Sequence, residues 1–272
     1  MEEIIKINDE IVDIHTLQKE IEEQPDVNIF STGYKYLDEC INGVREGDFI
    51  AIAGKPKSGK SQFAISLTKN FTELGNKCLW IQAELSYKEF IKRFGKEPPL
   101  LYVPRELKMP TITWIEGRIK EAVEKYGVRV VFIDDIGLIA DEEMYGKRNA
   151  FEIYGIRMTR LKRVAVRNKI AIFTIAHIDK DSAKKGKTKS GSNMDASDIK
   201  GTMDMWYRVD SMIGIQRGQP KSEITIQDRN PGDSLFMDTD CYVYILASRH
   251  TGIQNTRIKC RMDVDGFIKE YE

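Results

Sequence analysis

The stretch Gly54–Ser61, GKPKSGKS, decides how this chain is read. An apolar run, DFIAIAG (Asp48–Gly54), leads into it. Behind it, Phe63, Ala64, Leu67 and Phe71 recur at helical spacing, and Gly75 stands where such a helix would end. Strand, Gly-x-x-x-x-Gly-Lys-Ser and helix, in that order, are a phosphate-binding P-loop in its confirming context. Backbone N–H groups at the start of the helix attract an anion. Lys60 is set to bridge β- and γ-phosphates, and the Ser61 hydroxyl to ligate Mg²⁺. Gly54, Lys57, Ser58, Gly59, Lys60, Ser61 and Gln62 are therefore the expected nucleotide-binding residues, with ATP and Mg²⁺ as the expected cofactors. The bland alternative is a glycine turn joining a strand to a helix. Lys55 and Lys57 add positive charge that the motif does not require.

Outward from the loop, strand and helix patterns alternate. KCLWIQAE, RVVFIDD and AIFTIAH are apolar strands. Between them lie two helical segments: one opening at Thr113 with the capping-box pattern TWIE, the other over Ala150–Asn168. DSMIGIQ and CYVYILAS add two strands, and TRIKCRM and GFIKEY read as a hairpin turned by DVDG. This order predicts an α/β fold: a mostly parallel central sheet, helices on both faces, and a C-terminal β-hairpin. The 272 residues divide into a linker helix and tether, 1–30, and one large domain, 31–272. In the linker, Ile11, Ile14, Leu17 and Ile21 form an apolar stripe that Pro25 ends. Such a stripe packs either on its own domain or on a neighbouring subunit.

Composition narrows the partners. Lys plus Arg equals Asp plus Glu at 42 each, so a nucleic-acid site must be a local patch. No apolar run is long enough to span a bilayer, and Cys40, Cys78, Cys241 and Cys260 show no metal-ligand spacing. The expectation is a cytoplasmic protein with reduced, core-forming thiols and no membrane partner. Trp80, Trp114 and Trp206 are expected as core or interface anchors. The basic residues Arg157, Arg160, Lys162, Arg163 and Arg167 share one helix and read as a solvated face.

A P-loop ATPase also needs a carboxylate near the metal and a group that activates water. Asp134 ends an apolar strand at the edge where the nucleotide sits, so it is the expected metal carboxylate; adjacent Asp135 points the other way. Glu84, at the same edge, is either the general base or a helix N-cap carboxylate.

These residues resemble a family. STGYKYLDECINGVREGDFIAIAGKPKSGKS is similar to the entry of the ATPase domain of DnaB-type replicative hexameric helicases. WIQAELS resembles the strand that ends in the family's catalytic glutamate, and VVFIDDIGLI its metal-aspartate strand. DIHTLQKEIEEQ resembles the linker helix, and SDIKGTMDMWYRVDSMIGIQR the segment after the DNA-binding loop. The resemblance implies a RecA-like fold, ATP sites between subunits and a homo-oligomer, a hexameric ring around single-stranded DNA. It further implies primase or a helicase loader as partners, and ATP-driven unwinding during replication.

Departures are visible. The 272 residues leave no room for the family's primase-binding N-terminal domain, so a truncation or a short relative is expected. In TIAHIDK the γ-phosphate sensor position holds His177 instead of Gln; histidine still donates to phosphate, in a pH-dependent way. In YILASRHTG, alignment on Gly252 puts Ser248 and His250 where the family has Lys-x-Arg, with Arg249, the expected arginine finger, between them. Lys184, Lys185, Lys187 and Lys189 lie in a Gly/Ser-rich loop where the family grips DNA phosphates; alone they would read as a solvated charge run. Two other readings share the P-loop: a RecA/RadA-type filament-forming recombinase, and a regulatory or loading ATPase that ignores DNA.

Overall fold

The computed structural model describes residues 11–106, 110–140, 150–177, 207–218 and 239–271. Its centre is strand β3, Phe49–Gly54, buried along its whole length. The strand enters the P-loop directly, and helix α3, Lys60–Glu73, leaves it. On one side of β3 lie β6 (Ala171–His177), β5 (Val130–Asp134) and β4 (Cys78–Gln82), all parallel. On the other side β7, Ser211–Arg217, is parallel too; β8 (Thr239–Ser248), β9 (Thr256–Met262) and β10 (Ile268–Glu270) then alternate in direction. The order β10-β9-β8-β7-β3-β6-β5-β4 makes one eight-stranded sheet among the described residues. The expected mostly parallel sheet with a C-terminal hairpin is therefore observed.

Side-chain alternation along the strands divides the core between the two faces. Ile50, Ile52, Trp80, Phe132 and Phe173 meet Phe63, Leu67 and Phe71 of α3. Phe132 stacks between Trp80 and Phe173 at ring separations of 5.1 and 5.0 Å, which fills the space beneath that helix. The opposite face packs Phe49, Leu79, Val131 and Ile133 against helices α5 (Ile112–Tyr126) and α6 (Ala150–Asn168).

Several local features depart from the sequence reading. Helix α5 begins just before the expected Thr113: the Thr111 hydroxyl accepts from the Trp114 N–H and caps it. Pro110 precedes that cap and its fixed φ keeps the chain extended up to it. Helix α2, Lys35–Ile41, has no counterpart in the sequence reading, nor has the small β1–β2 pair, Ile29–Phe30 with Val44–Arg45. Only Leu37 and Ile41 of α2 are buried, and its N-cap residue Tyr34 makes no side-chain cap. The missing acceptor comes from the far end of the chain: Glu270 accepts from the N–H groups of Tyr36 (3.1 Å) and Leu37 (3.0 Å). Tyr34 in turn donates its hydroxyl to the Ile268 carbonyl at 2.6 Å. These bonds tie the edge strand to the segment that leads into β3.

The basic face expected on α6 is only partly solvated. Arg157 is 6% exposed. Arg160 forks onto Glu116 at 2.9 and 2.6 Å, and Lys162 reaches Asp210 at 2.6 Å. Cys78, Cys241 and Cys260 are buried and Cys40 half-buried, all as free thiols. Trp80 is core, Trp114 packs at its margin, and Trp206 lies outside the described residues.

Helix α1, Ile14–Glu22, buries no residue. Asp13 caps it, yet Ile14, Leu17 and Ile21 remain 70, 40 and 56% exposed. Against the described residues of its own domain this stripe is therefore not packed.

Candidate nucleotide site

The site grows from the end of β3. Gly54 has no room for a side chain: a Cβ there would stand 2.7 Å from the Ile215 carbonyl oxygen and 2.5 Å from Ser58 Oγ. Gly59, the N-cap of α3, sits at φ +99°, a conformation L side chains resist. Lys57 takes the left-handed region at φ 65° and is exposed, as is Lys55. The loop thus turns sharply onto a helix N-terminus whose first N–H groups have no intrahelical partner.

Lys60 is 4% exposed and curls back on the loop, donating to the carbonyls of Gly54 and Lys55 at 3.0 Å each. Burial holds its pKa below the ordinary lysine value, opposed by the nearby carboxyls Asp134, Glu84 and Asp135. The Ser61 side chain lies beside Asp134 and favours its charged form. Asp134 is 2% exposed, and burial pushes its pKa up to about 6, helped by Glu84 and Asp135 and opposed by Ser61 and Arg93. Its Oδ1 has no partner. The orphaned oxygen beside a serine hydroxyl fits the donor set of a hard divalent cation.

Sheet register brings the other residues to this edge. Gln82 pairs with Asp134, and Gly54 with His177. The His177 side chain lies outside what the structure describes. Glu84 follows β4 by two residues and is exposed. It is not a helix cap: Ser86 caps the next helix, α4 (Tyr87–Lys92), in a capping box with Glu89. Ser58 Oγ and both amide atoms of Gln62 are buried without partners. A phosphate-bearing ligand would meet the unpaired groups of the loop and helix N-terminus.

Arg249 is elsewhere. Its backbone N–H donates to Asp210, which pairs with the start of β3 through the Phe49 N–H. It therefore stands at the edge of the sheet opposite the P-loop, about 17 Å away along β3. There its guanidinium donates to the Tyr207 carbonyl, lies 3.6 Å from Asp210 and is half exposed. His250 contacts Asp48 at 2.8 Å. Lys184, Lys185, Lys187 and Lys189 lie outside the described residues.

Sequence reasoning missed Gln82, Arg93 and the Asp48–Asp210 network. A polar residue inside LWIQAE was a signal for Gln82; the other contacts are long-range and had none.

The sheet order, with a P-loop between β3 and α3, is a fold of the RecA-like kind. The resemblance read from the sequence holds: residues 30–98 match the family described as DnaB-like helicase C terminal domain. A DnaB-like replicative helicase, solved in a study of its interactions with primase, aligns with 98% of this chain and 69% of its own, with TM-score 0.71 and 15% identity. A second solved structure, an ATPase domain, aligns with 95% of this chain and 97% of its own, with TM-score 0.70 and 16% identity. At that identity the likeness is one of fold. By sequence, DNA repair protein RadA of Halalkalibacterium halodurans is 25% identical over 168 residues, 60% of this chain and 35% of its own. RadA of Campylobacter jejuni is 26% identical over 159 residues, 57% of this chain and 34% of its own. The chain thus spans about a third of the length of these curated relatives. Among the described residues no helix is long and apolar enough to cross a membrane.

Proposed function

We propose that this chain is the ATPase motor of a DNA helicase, hydrolysing ATP between subunits of a ring that moves on single-stranded DNA during replication. The observation that carries the reading is the division of parts between two edges of one sheet. Lys60, Ser61 and Asp134 gather at one edge, and Arg249 is held at the other, beyond reach of its own P-loop. A trans-acting arginine needs that separation, since it serves a neighbour's γ-phosphate.

In this reading Lys60 exchanges its two carbonyl contacts for β- and γ-phosphate oxygens. Ser61 and Asp134 would hold Mg²⁺, which when bound would supply charge neutralisation at the phosphates. Glu84 accepts a proton from the attacking water. His177 serves as the phosphate sensor, and Lys184, Lys185, Lys187 and Lys189 grip DNA phosphates without regard to sequence. The unpartnered stripe of α1 supports an arm that docks on the next subunit. Primase or a loader would then act on the assembled ring, in the cytoplasm.

A strand-displacement assay with wild type and Lys60→Ala tests this. ATP-dependent unwinding by wild type alone is expected. DNA-stimulated hydrolysis without unwinding would point to a RadA-type recombinase instead, and hydrolysis indifferent to DNA to a regulatory ATPase.

A further inference from the structure

Gln82 is the last residue of β4 and is 0% exposed. Glutamine at that depth normally has all its polar atoms paired, because an unpaired buried amide gives up its hydration and gains no bond in return. Here only half of it is used. Oε1 accepts from the Glu84 backbone N–H at 3.1 Å, which fixes which end of the amide is which, since an N–H can only donate. Nε2 is left as a buried donor with no partner.

The neighbourhood gives that donor a direction. Gln82 and Asp134 are directly paired in the parallel β4–β5 register. Alternation from Trp80 and Phe132, which stack on each other, puts both side chains on the α3 face. Asp134 carries the complementary defect, a buried Oδ1 without a donor. Two orphaned groups of opposite kind thus belong to register-paired neighbours on the same face of the sheet. A water with a polar partner on each side is the economical filling of such a gap.

We propose that Gln82 is a positioning residue for hydrolysis: its Oε1 fixes the backbone at Glu84, and its Nε2 holds a water against Asp134. The proposal rests on the nucleotide reading above, with Glu84 as the base. Oε1 limits the freedom of the turn after β4 and so sets the backbone position from which the Glu84 carboxylate acts near Lys60 and Asp134. Nε2 supplies the donor that a water shared with Asp134 needs. Gln82 itself transfers no proton. Its effect is exerted through Glu84 and therefore falls on turnover, not on nucleotide affinity.

The test compares wild type, Gln82→Met, Glu84→Gln and the double variant as the full chain. Methionine keeps length and apolar packing and removes both polar atoms. ATP turnover is measured with and without DNA, alongside binding of a fluorescent non-hydrolysable ATP analogue with Mg²⁺ and thermal melting. Gln82→Met is expected to lower kcat about tenfold or more while analogue affinity stays within about twofold and the melting temperature does not fall. Because Gln82 acts through Glu84, the double variant should turn over no more slowly than Glu84→Gln alone. Losses that multiply in the double variant, a defect confined to KM or analogue affinity, or an unchanged kcat would each overturn the proposal. Should Gln82→Met melt early, Gln82→Ser in the same cycle applies the same criterion. Wild type that binds no analogue overturns the nucleotide reading and this one with it. Wild type that binds and hydrolyses, beside an unimpaired Gln82→Met, overturns this one alone.

Discussion

The two edges of the central sheet both bury carboxylates and partner them differently. At the P-loop edge, Ser58 Oγ, both amide atoms of Gln62, Gln82 Nε2 and Asp134 Oδ1 are buried and unpaired. At the other edge the buried carboxylates are engaged. Asp210 accepts from the Phe49 N–H at 2.8 Å and Lys162 at 2.6 Å, with Arg249 3.6 Å away. Asp48 accepts from the Arg45 N–H and contacts His250, both at 2.8 Å. Folding alone explains the second edge, where each carboxylate offsets its desolvation with partners. At the first edge the Asp134 carboxylate keeps one oxygen without such a partner, although unpaired buried polar atoms are not confined to that edge, Ser248 Oγ being one at the other. Asp48 and Asp210 are thus partnered within the fold, and Asp134 is the carboxylate that the proposed function assigns to chemistry.

That contrast is open to breaking. Asp210→Ala should leave Lys162 partly buried without its anion, costing about 3 kcal/mol in denaturant unfolding. Its effect on nucleotide-analogue binding should be small. A silent Asp210→Ala would mean that these carboxylate contacts are not what holds β7 to α6.

Asp134→Asn should do the reverse. Burial raises the Asp134 carboxyl from 3.8 to about 6, so the metal-free fold holds a proton that the unfolded chain releases between those values. That contribution to stability is complete below the unfolded value and is lost as pH rises through the folded one. Asp134→Asn should therefore stabilise the nucleotide-free protein by about 1–2 kcal/mol near pH 7.5, the gain vanishing near about pH 4. A loss of stability at the higher pH would show that the carboxylate is structural after all.

The smallest effect belongs to α1. Leu17→Ser with Ile21→Ser should change unfolding of the isolated subunit by less than about 0.5 kcal/mol, because the helix buries nothing. Sedimentation should nonetheless show weakened self-association. Unaltered association would detach the arm from assembly.

Legibility in the sequence followed the range of the interactions. The β3–P-loop–α3 unit was readable because its signals are local: an apolar run, glycines at fixed offsets, a 3.6-residue stripe. Asp134 and Glu84 were placed at the site by the rule that parallel strands end at one edge. Thr111 was overlooked because the capping-box pattern two residues on looked stronger. Helix α2 was invisible because its cap, Glu270, lies at the other end of the chain. Lys162 and Arg160 looked solvated because Asp210 and Glu116 are remote in sequence. Gln82 differed again: its polarity within an apolar strand was plain, but its meaning depends on register with Asp134.

The central claim is that the two edges of one sheet serve the sites of different subunits. Mixing tests it most directly, with Lys60→Ala lacking the phosphate lysine and Arg249→Ala lacking the trans-acting arginine. Each alone should turn ATP over at less than about a hundredth of the wild-type rate. Mixed before assembly, they should recover hydrolysis, because an intact P-loop of one subunit then faces an intact arginine of another. Recovery that peaks near equal proportions would bear the account out. Full activity of Arg249→Ala alone, or a mixture as inactive as its parts, would contradict it.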